Sequence, residues 1–118
     1  MNENQIIMVD DNIAFCESIS FLLETVTNTK VIIYNNAVNF LKDYSSEWKG
    51  HLLIDLWMPN LDGISLLEEL KKLKTQLNIV VISGHADKTI IKKIKKFGVR
   101  DFLLKPFDVK KLLSILDN

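Results

Sequence analysis

The sequence predicts a doubly wound α/β domain: five parallel strands in the order 2-1-3-4-5, in a three-layer sandwich with helices on both faces. Three observations lead there. Five short apolar runs alternate with five stretches whose apolar residues recur at helical spacing. The runs do not alternate apolar and polar residues, which is the pattern of strands covered on both sides. The chain has 118 residues, the size of one ordinary domain. It carries no internal repeat, low-complexity segment or linker, so a single domain over 1–118 is expected.

The elements follow in order. QIIMV (5–9) is apolar, short and bounded by acids, a first strand. Residues 12–26 carry apolar side chains at 15, 16, 19, 22, 23 and 26, which is helical spacing. KVIIY (30–34) is β-branched and strand-like. NAVNFLKDY (36–44) reads as a helix with Val38, Phe40 and Leu41 inward. HLLIDL (51–56) is the third strand, and 64–73 a helix with Leu66, Leu67, Leu70 and Leu73 on one side. NIVVIS (78–83) is the most evidently buried strand. Residues 87–97 form a helix stopped at Gly98. RDFLL (100–104) is the fifth strand and VKKLLSIL (109–116) a short last helix. Each strand-helix-strand unit crosses over right-handed.

Composition narrows the function classes. Hydrophobic residues make up 47% and charged residues 25%, enough for a core and too apolar for a disordered chain. The apolar runs are too short to span a membrane, and the N-terminus lacks a secretory signal. Cys16 is the only cysteine, so no internal disulfide forms, which fits a reducing, cytoplasmic setting. Its place among apolar helical positions makes it a small core residue. Net charge is zero but segregated: residues 1–70 carry −8 and residues 71–118 carry +8. Much of the positive excess lies in 88–100. We read those lysines as the solvated face of a helix, since the aromatic or glycine pattern of nucleic-acid readers is missing there.

The chemistry gathers at the strand ends. Asp10 and Asp11 end the first strand, Asp55 the third, Ser83-Gly84 the fourth and Lys105-Pro106 the fifth. In the predicted strand order these lie on one edge, where such sheets bind ligands. Two carboxylates at about 4 Å repel by about 4 kcal/mol at an effective dielectric near 20. A divalent cation relieves this, and oxygen-only donors suit Mg²⁺, with Mn²⁺ as the alternative. No Cys/His cluster suggests zinc, and His51 and His85 are too far apart in this layout to share a metal. Asp62 reads as a turn residue within Asn60-Leu61-Asp62-Gly63.

These residues resemble the receiver domain of two-component response regulators, a CheY-like, flavodoxin-like fold. The resemblance rests on Asp10-Asp11, on Asp55 followed by Met58-Pro59 and Asp62-Gly63, on Ser83-Gly84-His85-Ala86, and on Lys105-Pro106-Phe107-Asp108. It covers essentially the whole chain. It implies that Asp55 is the phosphoacceptor, taking a phosphoryl group from a histidine of a sensor kinase or phosphotransfer protein. Asp11 would bind Mg²⁺ directly, Asp10 more through water, and the carbonyl of Trp57 would be the third protein ligand. Lys105 and Ser83 would bind phosphoryl oxygens. Ser83 and Phe102 would form the switch, with Phe102 packing differently in its two orientations. Trp57 and His85 would flank the pocket and tune the lifetime of the phosphoryl group. The output surface, and a homodimer contact, would lie in residues 87–117. The Lys105–Pro106 bond is expected to be cis.

The resemblance implies no enzyme beyond self-catalysed phosphoryl acceptance and slow autodephosphorylation. A phosphatase of the haloacid dehalogenase type also uses an Asp nucleophile, but it needs a second acid where this chain has Trp57. A receiver that binds its partner without phosphorylation is a second alternative, disfavoured by retention of all five site residues. VISGHAD and KPFD look most like receivers attached to LuxR-type helix-turn-helix outputs. Nucleic acid would then be met only through an output domain absent from these residues. A piece of such a regulator is the expectation, and a stand-alone CheY-like protein the alternative.

Overall fold

The computed structural model describes residues 5–58, 61–85 and 87–117. Pro59, Asn60 and Ala86, which belong to the motifs above, lie outside the described residues. Five strands alternate with five helices: β1 (Ile6–Val9), α1 (Ile13–Thr27), β2 (Val31–Tyr34), α2 (Ala37–Asp43), β3 (His51–Ile54), α3 (Gly63–Lys72), β4 (Asn78–Ser83), α4 (Lys88–Lys95), β5 (Asp101–Leu104) and α5 (Val109–Asp117). The strands are parallel, in the order β2-β1-β3-β4-β5. Among the described residues, no helix is long and apolar enough to cross a membrane.

Both sheet faces are buried, and strand parity divides them. Ile7, Val9, Leu52, Ile54, Ile79 and Val81 meet Ala37 and Phe40 of α2, the buried leucines of α3, and Ile94 of α4. Ile6, Met8, Leu53, Val80, Ile82 and Leu103 meet Cys16, Ile19 and Leu23 of α1 and Leu112 and Ile115 of α5. Hence the continuous apolar runs, which the parallel sheet requires. The helices start where short polar side chains can bind their first amides. Asn12, Asn36, Asp62 and Asp87 accept from the N–H of Phe15, Asn39, Ser65 and Ile90 at 2.8–3.0 Å. Each such cap is worth about 1 kcal/mol. Gly98, at φ +75°, takes the left-handed conformation after α4.

Three apolar side chains expected inside face solvent. Val26 is 56% exposed, Val38 43% and Leu73 45%. α2 is only seven residues, and Ala37 and Phe40 fill its buried side, turning Val38 outward. Leu73 is the C-cap of α3, past the last full turn. β3 is also shorter than predicted, ending at Ile54, so Asp55 stands just beyond the ladder. Asp62 caps α3 where the sequence suggested a turn. The lysines of α4 are exposed, as its amphipathic pattern predicted.

Candidate functional site

The strand register brings the polar residues to one edge. Val9 pairs with Tyr34 and Ile54, Ile54 with Val81, and Ser83 with Leu104. The next residues stay anchored by main-chain bonds: Asp10 N–H to the Tyr34 carbonyl (3.0 Å), Asp55 N–H to that of Val9 (3.0 Å), and Lys105 N–H to that of Ser83 (2.7 Å). The Lys105–Pro106 bond is cis, as the sequence suggested. His51 begins β3 and His85 follows β4, so the two histidines lie at opposite edges.

Asp10 and Asp55 are buried while Asp11 is exposed. Each offers a carboxylate oxygen, and the three oxygens lie within 4.8 Å of one another. At that distance each pair of charges repels by about 3 kcal/mol at an effective dielectric near 20. Asp55 reports the crowding. Its pKa rises from 3.8 to about 6, first through burial and then through Asp10, while Lys105 and the Trp57 backbone N–H pull it back. Cys16 on α1 is pushed up to about 11 by burial and by Asp10, so its thiol stays protonated. Three carboxylates with no sulfur or imidazole among them form an acidic cluster that fits a hard divalent cation.

The cluster is tied on its β1 side. One Asp10 carboxylate oxygen accepts the Asn12 N–H at 2.9 Å, and the other the Lys105 ammonium at 2.8 Å. The Asp10 carbonyl accepts from Asn35 Nδ2 at 3.1 Å and from Cys16 Sγ at 3.5 Å. The Lys105 Nζ also lies 4.0 Å from the centroid of the Phe15 ring. Asn12, Asn35 and Phe15 did not stand out in the sequence. Asn12 carried a signal, an Asx residue directly before a helical pattern. Phe15 and Asn35 had none, because their contacts join distant parts of the chain.

The β4 side is built differently. Ser83 is fully buried, and its hydroxyl donates to the His85 carbonyl (3.0 Å) while accepting the His85 N–H (3.3 Å). The Trp57 indole Nε1 donates to the same carbonyl at 2.5 Å, with the Trp57 and His85 rings 6.4 Å apart. Trp57 and His85 therefore meet at this side of the site. Phe102 lies in β5, opposite Val81, and packs half-buried against the core on the α4 side of the sheet.

The site thus sets an acidic trio beside a lysine that follows β5 and a hydroxyl that ends β4. Residues 6–117 match the response regulator receiver domain. The chain belongs to that family. It is 31% identical over 116 residues to the transcriptional regulatory protein FixJ of Bradyrhizobium diazoefficiens, covering 98% of this chain and 56% of FixJ. It superposes on the crystal structure of FixJ-N with a TM-score of 0.86 at 31% identity, covering 99% of this chain and 93% of that one. A response regulator of Burkholderia pseudomallei, solved with a phosphorylated aspartic acid, calcium ion and citrate, matches at a TM-score of 0.85 and 27% identity, over 96% of this chain and 66% of that one. The receiver spans about half the length of the curated relatives it matches.

Proposed function

We propose that this receiver accepts a phosphoryl group on Asp55 from the phosphohistidine of a sensor kinase or phosphotransfer protein. The observation that carries the reading is the trio of carboxylates within 4.8 Å, with the Lys105 ammonium bound to one of them. An Asp55 oxygen forms a bond to phosphorus as the donor's phosphorus–nitrogen bond breaks. The electron pair stays on the imidazole nitrogen, and the product is an acyl phosphate. Asp55 acts as its own nucleophile and needs no base. Asp11, Asp10, Asp55 and the Trp57 carbonyl are the groups that would hold Mg²⁺, or Mn²⁺ in its place. The cation supplies positive charge against the carboxylates and the phosphoryl oxygens. Lys105 adds a second positive charge. The B. pseudomallei relative, solved with a phosphorylated aspartic acid and a calcium ion, supports an aspartate acceptor and a divalent ion.

The Ser83 hydroxyl, now held by the His85 carbonyl, would exchange that acceptor for a phosphoryl oxygen. The turn before α4 would follow it, and Phe102 would repack. Residues 87–117 then serve as the output surface, pairing with a second copy or signalling to an output domain. FixJ is a transcriptional regulatory protein, which supports a DNA-binding output over a stand-alone signalling chain. We place the receiver in the cytoplasm, without catalytic turnover on other molecules.

The test is phosphotransfer from acetyl phosphate to wild type and Asp55→Asn, with and without Mg²⁺. Label is expected on wild type with Mg²⁺ alone. Equal labelling of Asp55→Asn would overturn the assignment. Light scattering before and after phosphorylation tests the pairing: a protein that stays monomeric rules it out.

A further inference from the structure

Lys105 has two neighbours of different kinds. Its Nζ lies 2.8 Å from an Asp10 carboxylate oxygen and 4.0 Å from the Phe15 ring centroid. At that range the negative face of the ring attracts the ammonium. The ring is itself held. It stands in the first turn of α1, where the Phe15 N–H is bound by the Asn12 cap. Phe107 meets it edge-on, with centroids 6.1 Å apart and planes at 77°. Ile19, Pro106 and Val109 complete an apolar wall that reaches Lys105. A lysine stem has four rotatable bonds and a strongly hydrated tip, so a fixed ammonium needs such support.

We infer that Phe15 is a positioning residue for Lys105. Resting on the phosphoacceptor reading, the inference concerns what holds the ammonium when it leaves Asp10 for the incoming group. In the structure Asp10 binds it. An ammonium drawn toward a phosphoryl oxygen gives up that bond, and the ring then keeps it beside the site and out of water. Lys105 moves no proton in this step. It neutralises charge while the Asp55 oxygen–phosphorus bond forms and the donor's bond breaks. With acetyl phosphate the electron pair leaves on acetate.

The test compares Phe15→Leu, which keeps apolar bulk and loses the ring face, with Phe15→Tyr, which keeps both. The first readout is the Lys105 ε-methylene proton shift without divalent cations, identified by its disappearance in Lys105→Arg. A ring at 4.0 Å shifts it upfield in wild type and Phe15→Tyr, and the shift is lost in Phe15→Leu. The second is the rate of labelling by acetyl phosphate with Mg²⁺. It is expected to fall about fivefold in Phe15→Leu and to stay within about twofold of wild type in Phe15→Tyr. Equal rates for wild type and Phe15→Leu would overturn the inference alone. Equal slowing in both variants would reduce Phe15 to packing and overturn it as well. A wild type that takes no label overturns the phosphoacceptor reading, and this inference with it, even if the upfield signal is present.

Discussion

Removing the charge of Asp55 should stabilise the fold when no divalent cation is present. The carboxyl is buried, and its pKa rises from 3.8 to about 6 through burial and the charge of Asp10. A raised carboxyl pKa means that the folded state binds the proton more tightly than the unfolded one. Below 3.8 both states are protonated and no penalty arises. The penalty grows as pH rises from 3.8 to 6 and is complete above that. At about 1.4 kcal/mol per pH unit it reaches about 3 kcal/mol at pH 7.5 and about half of that at pH 5. Asp55→Asn keeps the shape and removes the charge. Urea unfolding in EDTA should therefore show the variant more stable by about 3 kcal/mol at pH 7.5, with the gain falling by about half at pH 5. Added Mg²⁺ should narrow the gap from the wild-type side. A variant no more stable than wild type in EDTA at pH 7.5, or a gain that ignores pH, would refute the electrostatic account of the site.

Three further outcomes are expected. Trp57→Ala removes the indole that donates to the His85 carbonyl at the mouth of the site, and should shorten the lifetime of phosphorylated Asp55 about fivefold, the worth of one hydrogen bond; decay of the labelled protein in excess unlabelled buffer reads it, and an unchanged half-life counts against the contact. Cys16, buried and with a thiol pKa of about 11, should react with a disulfide reagent at pH 8 at least about 100-fold more slowly in the native protein than in urea. Gly63→Ala should cost about 2–3 kcal/mol in thermal unfolding, because its Cβ would stand 2.4 Å from the Asp55 carbonyl oxygen and 2.6 Å from the Leu56 Cα. A variant as stable as wild type would mean that the loop after Asp55 yields freely.

The fold was legible because the sheet is covered on both sides. Runs such as IIMV and NIVVIS have to be apolar throughout, and between them α1 and α3 carry unbroken helical spacing. Where an element is short the pattern weakens. Seven residues of α2 cannot show which way Val38 points, and a leucine at the end of α3 looks periodic although the helix has stopped. The acidic trio and its lysine were legible for a topological reason: in this parallel sheet the residues after the first, third and fifth strands must share an edge. The contacts that tune the trio were not. The Phe15 ring over Lys105 joins residues 90 positions apart. The Trp57 indole on the His85 carbonyl depends on a rotamer. Hydrophobic spacing assigns Phe15 to the core, and nothing local distinguishes a ring that also faces a cation.

The peptide at Asp10 is bolted down from several directions: its amide to β2, its carbonyl to Asn35 and Cys16, its carboxylate to Asn12 and Lys105. On the opposite wall the His85 carbonyl is held by the Ser83 hydroxyl and the Trp57 indole, and the His85 N–H returns to the same hydroxyl. If a phosphoryl group draws the Ser83 hydroxyl as proposed, the side expected to give is the one before α4, while the several bonds at Asp10 are expected to keep β1 in place.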